Sequence, residues 1–290
     1  MTLQRAAVLG HPIGHSKSPV LHRAAYGMLG VDIDYRSFDL TAEQLPAFAE
    51  RVRTEPGWRG LSVTMPLKAA FVPLVDRVEG TAVELGVLNT VVIEDGGGVP
   101  VMVGHNTDVA GITESFRRAG LNRVEDPVVV GAGNTALAAV AALAQLGATQ
   151  VEFLVRDAAR SGEAVALAER LGLAVRVSAL HAGAVRVCAA DAVVSTLPPR
   201  AADGLADQLG QLAPADDGAR RVLLDVAYDP WPSRLAGAWE ERGGLVLHGL
   251  EMLVYQAVEQ IVLFTGREDA RSREVIDVMC DSVGVPPRVG

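Results

Sequence analysis

The sequence predicts an α/β fold in two domains. Short apolar runs alternate with longer helical patterns from one end of the chain to the other, the signature of βαβ units and largely parallel sheets. The 290 residues exceed one small module and match one or two domains of ~100 to 200 residues each. Hydrophobic residues make up 49% of the chain and charged residues 21%, a balance that suits a packed core and argues against disorder.

Taken in order, strands are expected over residues 6–9, 34–38, 61–64 and 90–93, each an apolar run of strand length. Helical patterns fill 19–29, 42–52 and 67–75, and Pro19 stands where a first helical turn tolerates proline. Gly60 and Pro66 punctuate the third strand. The turn Asp95-Gly96-Gly97-Gly98 leads into an extended run over 101–104, and residues 109–119 read as a helix with Asp108 at its cap. A second series of β-like runs covers 128–130, 151–155, 174–177, 192–195, 222–226 and 245–247. Six such runs with helices between them fit a doubly wound sheet. Residues 182–187 and 201–213 blur the period with Ala, Asp and Gly. From 249 to 266 the pattern is helical, with Leu250, Leu253, Val254, Ala257, Val258, Ile261 and Val262 on one apolar stripe that Gln256 interrupts. The expected division is a first domain over 1–109, completed by C-terminal helices within 250–290, and a second over 110–249.

Composition excludes several partners. The 26 basic and 35 acidic side chains leave a net charge of -9, so no overall positive field favours nucleic acid or an anionic membrane. Cys188 and Cys280 are too few for a disulfide framework or a thiolate metal site, which points to a reducing cytoplasm. The first ten residues lack a signal-peptide pattern, and the longest apolar tract, 136–146, falls short of the ~18 residues a membrane span needs. His15, His22, His105 and His248 read as packing or surface residues, and no metal is expected. Of the 26 basic residues only Lys17 and Lys68 are lysines. They mark sites where a compact, titratable ammonium is wanted in place of a guanidinium.

The sharpest motif is Gly131-Ala132-Gly133-Asn134-Thr135-Ala136, which follows the strand at 128–130 and opens a helix. Gly131 permits the tight turn, Gly133 lets backbone approach a pyrophosphate, and Ala136 lets helix and strand pack closely. The spacing predicts a Rossmann-type nucleotide domain. At the end of the next strand, Arg156 and Arg160 would clamp a 2′-phosphate, which favours NADP over NAD. Asp157 between them would bond a ribose hydroxyl or simply cap a helix.

The first domain collects polar residues where its strands end: His11 to Pro19, Ser62 to Lys68, Asn89-Thr90 and His105 to Asp108. Ligands of open α/β sheets bind outside the carboxyl ends of strands. Hydroxyls, amides, an ammonium and a carboxylate suit a small, polyhydroxylated, anionic substrate. Reducing a carbonyl builds negative charge on its oxygen, so a positioned proton donor must serve that oxygen. Lys68 can donate and reclaim that proton, and Asp108 can orient its amine. Ser16 and Ser18 also suit capping of the helix near Pro19, Lys68 suits a solvated turn, and Asp108 suits a plain cap.

Over nearly its whole length the chain resembles the shikimate dehydrogenase family. Pro12-Ile13-Gly14-His15-Ser16-Lys17-Ser18-Pro19 stands for the family's P-I-x-H-S-x-S-P, Val63-Thr64-Met65-Pro66-Leu67-Lys68 for V-T-x-P-x-K, and Asn106-Thr107-Asp108 for N-T-D. Asn89-Thr90, Tyr228-Asp229-Pro230-Trp231-Pro232 and Gly249 to Gln256 resemble three further motifs. The resemblance implies a two-domain enzyme that uses NADP to reduce 3-dehydroshikimate reversibly to shikimate, on the shikimate pathway to chorismate and the aromatic amino acids. It implies that Ser16, Ser18, Thr64, Asn89, Tyr228 and Gln256 hold the substrate and that Lys68 and Asp108 form the catalytic pair. It places Gly131, Ala132, Gly133, Asn134 and Thr135 with Arg156 and Arg160 at the cofactor's phosphates, and Val226 and Gly249 near its nicotinamide. Three departures are Asn134 in place of a glycine, Val109 in place of the glycine after N-T-D, and Ser195-Thr196-Leu197-Pro198 in place of A-T-S-x-G-M. Asn134 is expected to tolerate a left-handed backbone there. An NAD-preferring quinate/shikimate dehydrogenase and a non-catalytic shikimate- or NADP-binding sensor stand as alternatives, and the chain is compatible with a monomer or a homodimer.

Overall fold

The computed structural model describes residues 3–212 and 220–286. The end of the 201–213 segment and the last residues of the 250–290 segment therefore lie outside the described residues. The chain forms two compact units, the first running to Asp108 and resuming at Leu253, the second running from Val109 to Met252.

The first unit holds β1 (Gln4–Gly10), α1 (Ser18–Leu29), β2 (Ile33–Asp39), α2 (Leu45–Thr54), β3 (Trp58–Val63), β4 (Arg77–Val78), α3 (Thr81–Leu85), β5 (Thr90–Asp95) and β6 (Pro100–His105). Its sheet runs β2-β1-β3-β5-β6-β4. β1 pairs in parallel with β2 and β3, and β4 with β6; the hairpin partners β5 and β6 add antiparallel pairings. Successive residues of β1 face opposite sides. Ala6 and Val8 enter a core with α1 and the C-terminal helices, whereas Ala7 and Leu9 enter a second core with α2. A strand buried on both faces has no room for a polar alternation, which is why its sequence reads as one apolar run.

The helix expected over 67–75 does not form. Pro73 cannot donate a backbone hydrogen bond, and the segment closes instead through single turns and a short 3₁₀ stretch over Val72–Leu74. Lys68 therefore sits on a turn. The helix expected over 42–52 is a 3₁₀ turn over Ala42–Gln44, held by the Thr41/Gln44 capping box, followed by α2 with proline in its first turn. The two-residue β4 and the five-residue α3 carry too little pattern to be seen in the sequence.

α4 (Asp108–Arg118) leads into the second unit: β7 (Val128–Val130), α5 (Asn134–Gln145), β8 (Gln150–Val155), α6 (Gly162–Arg170), β9 (Ala174–Ala179), α7 (Ala184–Ala189), β10 (Ala192–Ser195), α8 (Asp203–Leu209), β11 (Val222–Asp225), α9 (Arg234–Glu240) and β12 (Leu245–His248). The order β12-β11-β10-β7-β8-β9 is parallel at every pairing. From β7 the chain winds outward through β8 and β9, then returns to β10 on the other side of β7. This is a doubly wound sheet with its reversal between β7 and β10. The chain re-enters the first unit within α10 (Gly249–Thr265) and ends its described course in α11 (Arg273–Val283).

Candidate active site

The first unit places Lys68 and Asp108 in contact. The Lys68 ammonium meets Asp108 Oδ2, with both side chains almost wholly buried. The other carboxylate oxygen, Oδ1, accepts a hydrogen bond from Asn89 Nδ2 at 2.8 Å. A buried ion pair is expensive to desolvate and persists only when its remaining hydrogen bonds are made; Asn89 supplies one. The Asp108 carboxylate is committed to these two partners, while the Asp108 N–H, which a cap would have left to be satisfied, goes to Asn106 Oδ1 at 3.0 Å.

Hydrogen bonds to Thr90, Thr107 and Gln256 fix Asn89. Its Oδ1 accepts from the Thr107 backbone N–H at 2.8 Å and from Thr90 Oγ1 at 2.7 Å. Its Nδ2 also reaches Thr107 Oγ1 at 3.0 Å and Gln256 Oε1 at 3.3 Å. Gln256 is held from behind by donating to Leu253 O at 2.9 Å. Thus Lys68 from a turn, Asn89 from just before β5, Asp108 from the start of α4 and Gln256 from α10 converge within one unit. The motifs assign a site role to all four; Thr107 and Thr90 lie inside the motifs of Asp108 and Asn89 but receive no role of their own from the sequence.

Ser18 is the first residue of α1 and is buried, in hydrogen-bonding range of the Tyr35 hydroxyl. Ser16, half-buried, accepts the Ser18 N–H at 3.3 Å. The helix cap itself is Lys17, with no side-chain bond. Thr64 follows β3 and is half-buried; its N–H donates to Leu9 O at 2.9 Å. Its methyl packs on Gly10, where a Cβ would come within 2.5 Å of it, so only glycine lets the two strand ends lie this close.

In the second unit Gly131 has φ +110, and a Cβ there would stand 2.5 Å from Thr196 Oγ1. Glycine is required on both counts. Gly133 precedes α5 in an extended conformation with open space around it, while Ala132, Asn134 and Thr135 are half-buried and Ala136 is fully buried against the sheet. Asn134 is helical, not left-handed, because the helix begins at that residue. The first turn of α5 thus presents backbone N–H groups beside an open loop, the arrangement that receives a pyrophosphate. Asp157 caps the short turn after β8 by accepting from the Ala159 N–H at 3.0 Å. That bond occupies one carboxylate oxygen, Oδ1, and Arg156 and Arg160 stand exposed with no side-chain hydrogen bond or ion pair among the described residues.

Val226 and Gly249 are neighbours in this unit. A Cβ on Gly249 would lie 2.4 Å from the Val226 carbonyl oxygen, so glycine there is dictated by backbone meeting backbone. Next to them His248 packs on Trp231 with ring centroids 3.9 Å apart and the planes tilted by 32°, and accepts the Leu250 N–H on Nδ1 at 3.0 Å. His248 therefore serves as a cap for α10, a role its place in the sequence did not betray, and burial lowers its pKa to about 4. A cavity of about 350 Å³ opens at the carboxyl ends of β10 and β11, lined by Ser195, Leu197, Asp225, Ala227 and Pro230 among others. Burial pushes the Asp225 carboxyl up, against the pull of Ser233 and the Ala227 N–H. Tyr228, half-buried beyond β11, has its phenol pKa raised by burial and by the charge of Asp229.

Residues 8–91 match the family model of the shikimate dehydrogenase substrate binding domain, and residues 249–270 match that of the shikimate 5'-dehydrogenase C-terminal domain. A shikimate dehydrogenase (NADP(+)) of Sphingopyxis alaskensis is 35% identical over 274 residues, 93% of this chain and 93% of its own. The chain belongs to the shikimate dehydrogenase family. Another family member, the shikimate dehydrogenase (NADP(+)) of Methanothermobacter thermautotrophicus, is 30% identical over 95% of this chain and 94% of its own. The shikimate dehydrogenase crystal structure from Mycobacterium tuberculosis matches with a TM-score of 0.83 at 36% identity, covering 97% of this chain and 99% of that one. The shikimate dehydrogenase structure from Thermus thermophilus in complex with NADP(H) and shikimate matches at 0.76 and 30% identity, covering 96% and 99%. Among the described residues of this shikimate dehydrogenase family member no helix is long and apolar enough to cross a membrane.

Proposed function

We propose that the protein is an NADP-dependent shikimate dehydrogenase that reversibly reduces 3-dehydroshikimate to shikimate. The observation that carries this reading is the buried Lys68–Asp108 contact with Asn89 on the second carboxylate oxygen, in a chain whose relatives are named for that activity and that cofactor. NADP, when bound, supplies or accepts the hydride. The residues that suit it are Gly131 to Thr135, where the turn admits only glycine at its start, and Arg156 and Arg160, whose free guanidinium groups suit a 2′-phosphate. Ala132 and Asn134 belong to that loop, and Val226 and Gly249, whose backbones meet where only glycine fits, suit the nicotinamide end.

Lys68 Nζ holds the proton that the carbonyl oxygen takes up in reduction and that the hydroxyl returns in oxidation. Asp108 keeps the ammonium aimed and lowers the cost of its burial. Asn89 and Gln256 present amide groups to ring hydroxyls, Ser16 and Ser18 present hydroxyls to the substrate carboxylate, and Thr64 and Tyr228 complete the substrate set. The substrate is a small molecule, and the cytoplasm suits a protein whose Cys188 and Cys280 form no disulfide. The relatives, named as NADP(+) enzymes, favour this reading over an NAD-preferring quinate enzyme.

The test follows nicotinamide absorbance with shikimate or quinate against NADP or NAD. Turnover is expected with shikimate and NADP, with Lys68→Ala losing roughly 10²- to 10⁴-fold in kcat. Turnover only with quinate and NAD would promote the alternative, and silence of folded protein in all four pairings would leave the sensor.

A further inference from the structure

Gln260 lies one turn beyond Gln256 on α10 and is 1% exposed. A buried amide is costly unless its two donors and two acceptor sites are used. Here all four are. Nε2 donates to Asn89 O at 3.2 Å and to Thr90 Oγ1 at 2.9 Å, while Oε1 receives Ser62 Oγ at 2.7 Å and His22 Nε2 at 3.2 Å.

The direction of every bond in this cluster follows from two backbone groups. The Asn89 carbonyl can only accept, so the Gln260 atom beside it is the NH₂ and the other atom is the acceptor oxygen. Ser62 and His22 must then donate to that oxygen. His22 carries its proton on Nε2, leaving Nδ1 to accept from Tyr26 Oη at 3.1 Å, and Ser62 is free to accept from Tyr35 Oη at 2.7 Å. On the other side, Thr90 accepts from Gln260, and its single proton goes to the nearer of its two acceptors, Asn89 Oδ1 at 2.7 Å, with Thr107 Oγ1 at 3.4 Å. The Thr107 N–H can only donate, and it too points at Asn89 Oδ1. Asn89 Nδ2 is thereby turned to Asp108 Oδ1, leaving Oδ2 for Lys68.

We propose that Gln260 and Thr90 are positioning residues for the Lys68–Asp108 pair: the Gln260 amide orients the Thr90 hydroxyl, and that hydroxyl, together with the Thr107 N–H, holds the Asn89 amide in the orientation that donates to Asp108. The proposal rests on the proton-handling role given to that pair above. His22, Tyr26, Ser62 and Tyr35 anchor the far end of the chain, with the His22 and Tyr35 rings stacked at 4.0 Å. Neither Gln260 nor Thr90 touches Lys68 or Asp108, so their effect on turnover passes through Asn89.

The experiment measures kcat and KM for shikimate with NADP in Thr90→Val, Thr90→Ser, Gln260→Met and the Thr90→Val/Gln260→Met double variant, each shown to be folded by its thermal transition. Thr90→Val and Gln260→Met are expected to lower kcat about tenfold each, with KM moving less than about threefold. Because both act through one hydroxyl, the double variant should lose about tenfold and not about a hundredfold. Thr90→Ser, which keeps the hydroxyl, should recover most of the wild-type kcat. If Gln260→Met does not fold, the contrast between Thr90→Val and Thr90→Ser decides alone. Folded Thr90→Val with kcat within about twofold of wild type, or an equal loss in Thr90→Ser, overturns the proposal. Wild-type protein without shikimate turnover would instead overturn the function on which the proposal rests.

Discussion

At the scale of single residues, the arginines after β8 carry the sharpest cofactor prediction. Asp157 uses one carboxylate oxygen on the Ala159 N–H, and the proposed 2′-phosphate contacts are those of Arg156 and Arg160. Arg156→Ala should raise the Kd for NADP by roughly ten- to a hundredfold, as loss of a charge-assisted phosphate contact of about 1.5–3 kcal/mol implies, and leave the Kd for NAD nearly unchanged. Titration of intrinsic fluorescence with each dinucleotide measures both; equal weakening of the two would remove Arg156 from the 2′-phosphate. Lys68 is of a different kind, since the sequence singled it out as one of two lysines and the structure buries it. A burial of that completeness on a proline-broken turn is not written in local sequence. It arises because Asp108 and Asn89 arrive from other elements to meet its charge.

At the scale of elements, the join between β12 and α10 is the most constrained. Gly249 begins the helix with its Cα against the Val226 carbonyl, and His248 caps it. Gly249→Ala must displace backbone, with a cost on the order of 1–3 kcal/mol. It should lower the thermal midpoint and weaken NADP binding together, which calorimetry and the dinucleotide titration would read in one preparation. An unchanged midpoint would mean that β11 and α10 can separate freely there. The sequence showed this helix by its apolar stripe and marked Gln256 as an interruption. Gln260, on the same helix one turn later, was equally visible as an amide among apolar residues, and its meaning became clear only when Ser62, His22 and Thr90 were seen around it. The segment 67–75 misled because its apolar residues repeat at helical spacing, whereas Pro73 withholds the hydrogen bond that would have made the helix.

At the scale of the whole molecule, stability should fall as pH drops below neutrality. Burial lowers the His22 pKa from 6.5 to about 3, with the bond to Gln260 opposing, and lowers that of His248 to about 4. Both folded-state values lie below the unfolded one. The stability these neutral rings contribute is present above pH 6.5 and is lost as pH falls toward 4 and then 3, because the unfolded chain takes up protons that the folded chain refuses. His22 alone contributes a slope of about 1.4 kcal/mol per pH unit across this window. Urea midpoints measured from pH 7 to 5 should decline, and His22→Gln should decline less steeply; parallel slopes would show that His22 does not titrate with unfolding.

The sequence by itself determined the α/β class, the winding of the second sheet, the glycine turn at Gly131 and the residue types of the polar cluster. These follow from periodicity, from the conformations only glycine adopts and from motif spacing, all of which act over short stretches of chain. Only the tertiary structure decided that Asp157 is a cap, that Lys68 lies on a turn facing Asp108, and that a chain of hydrogen bonds from His22 to Asn89 stands behind them. Buried polar groups are stable only when their partners are supplied, and here Lys68 finds one 40 residues away and His22 one 238 residues away. No local pattern encodes such a distance.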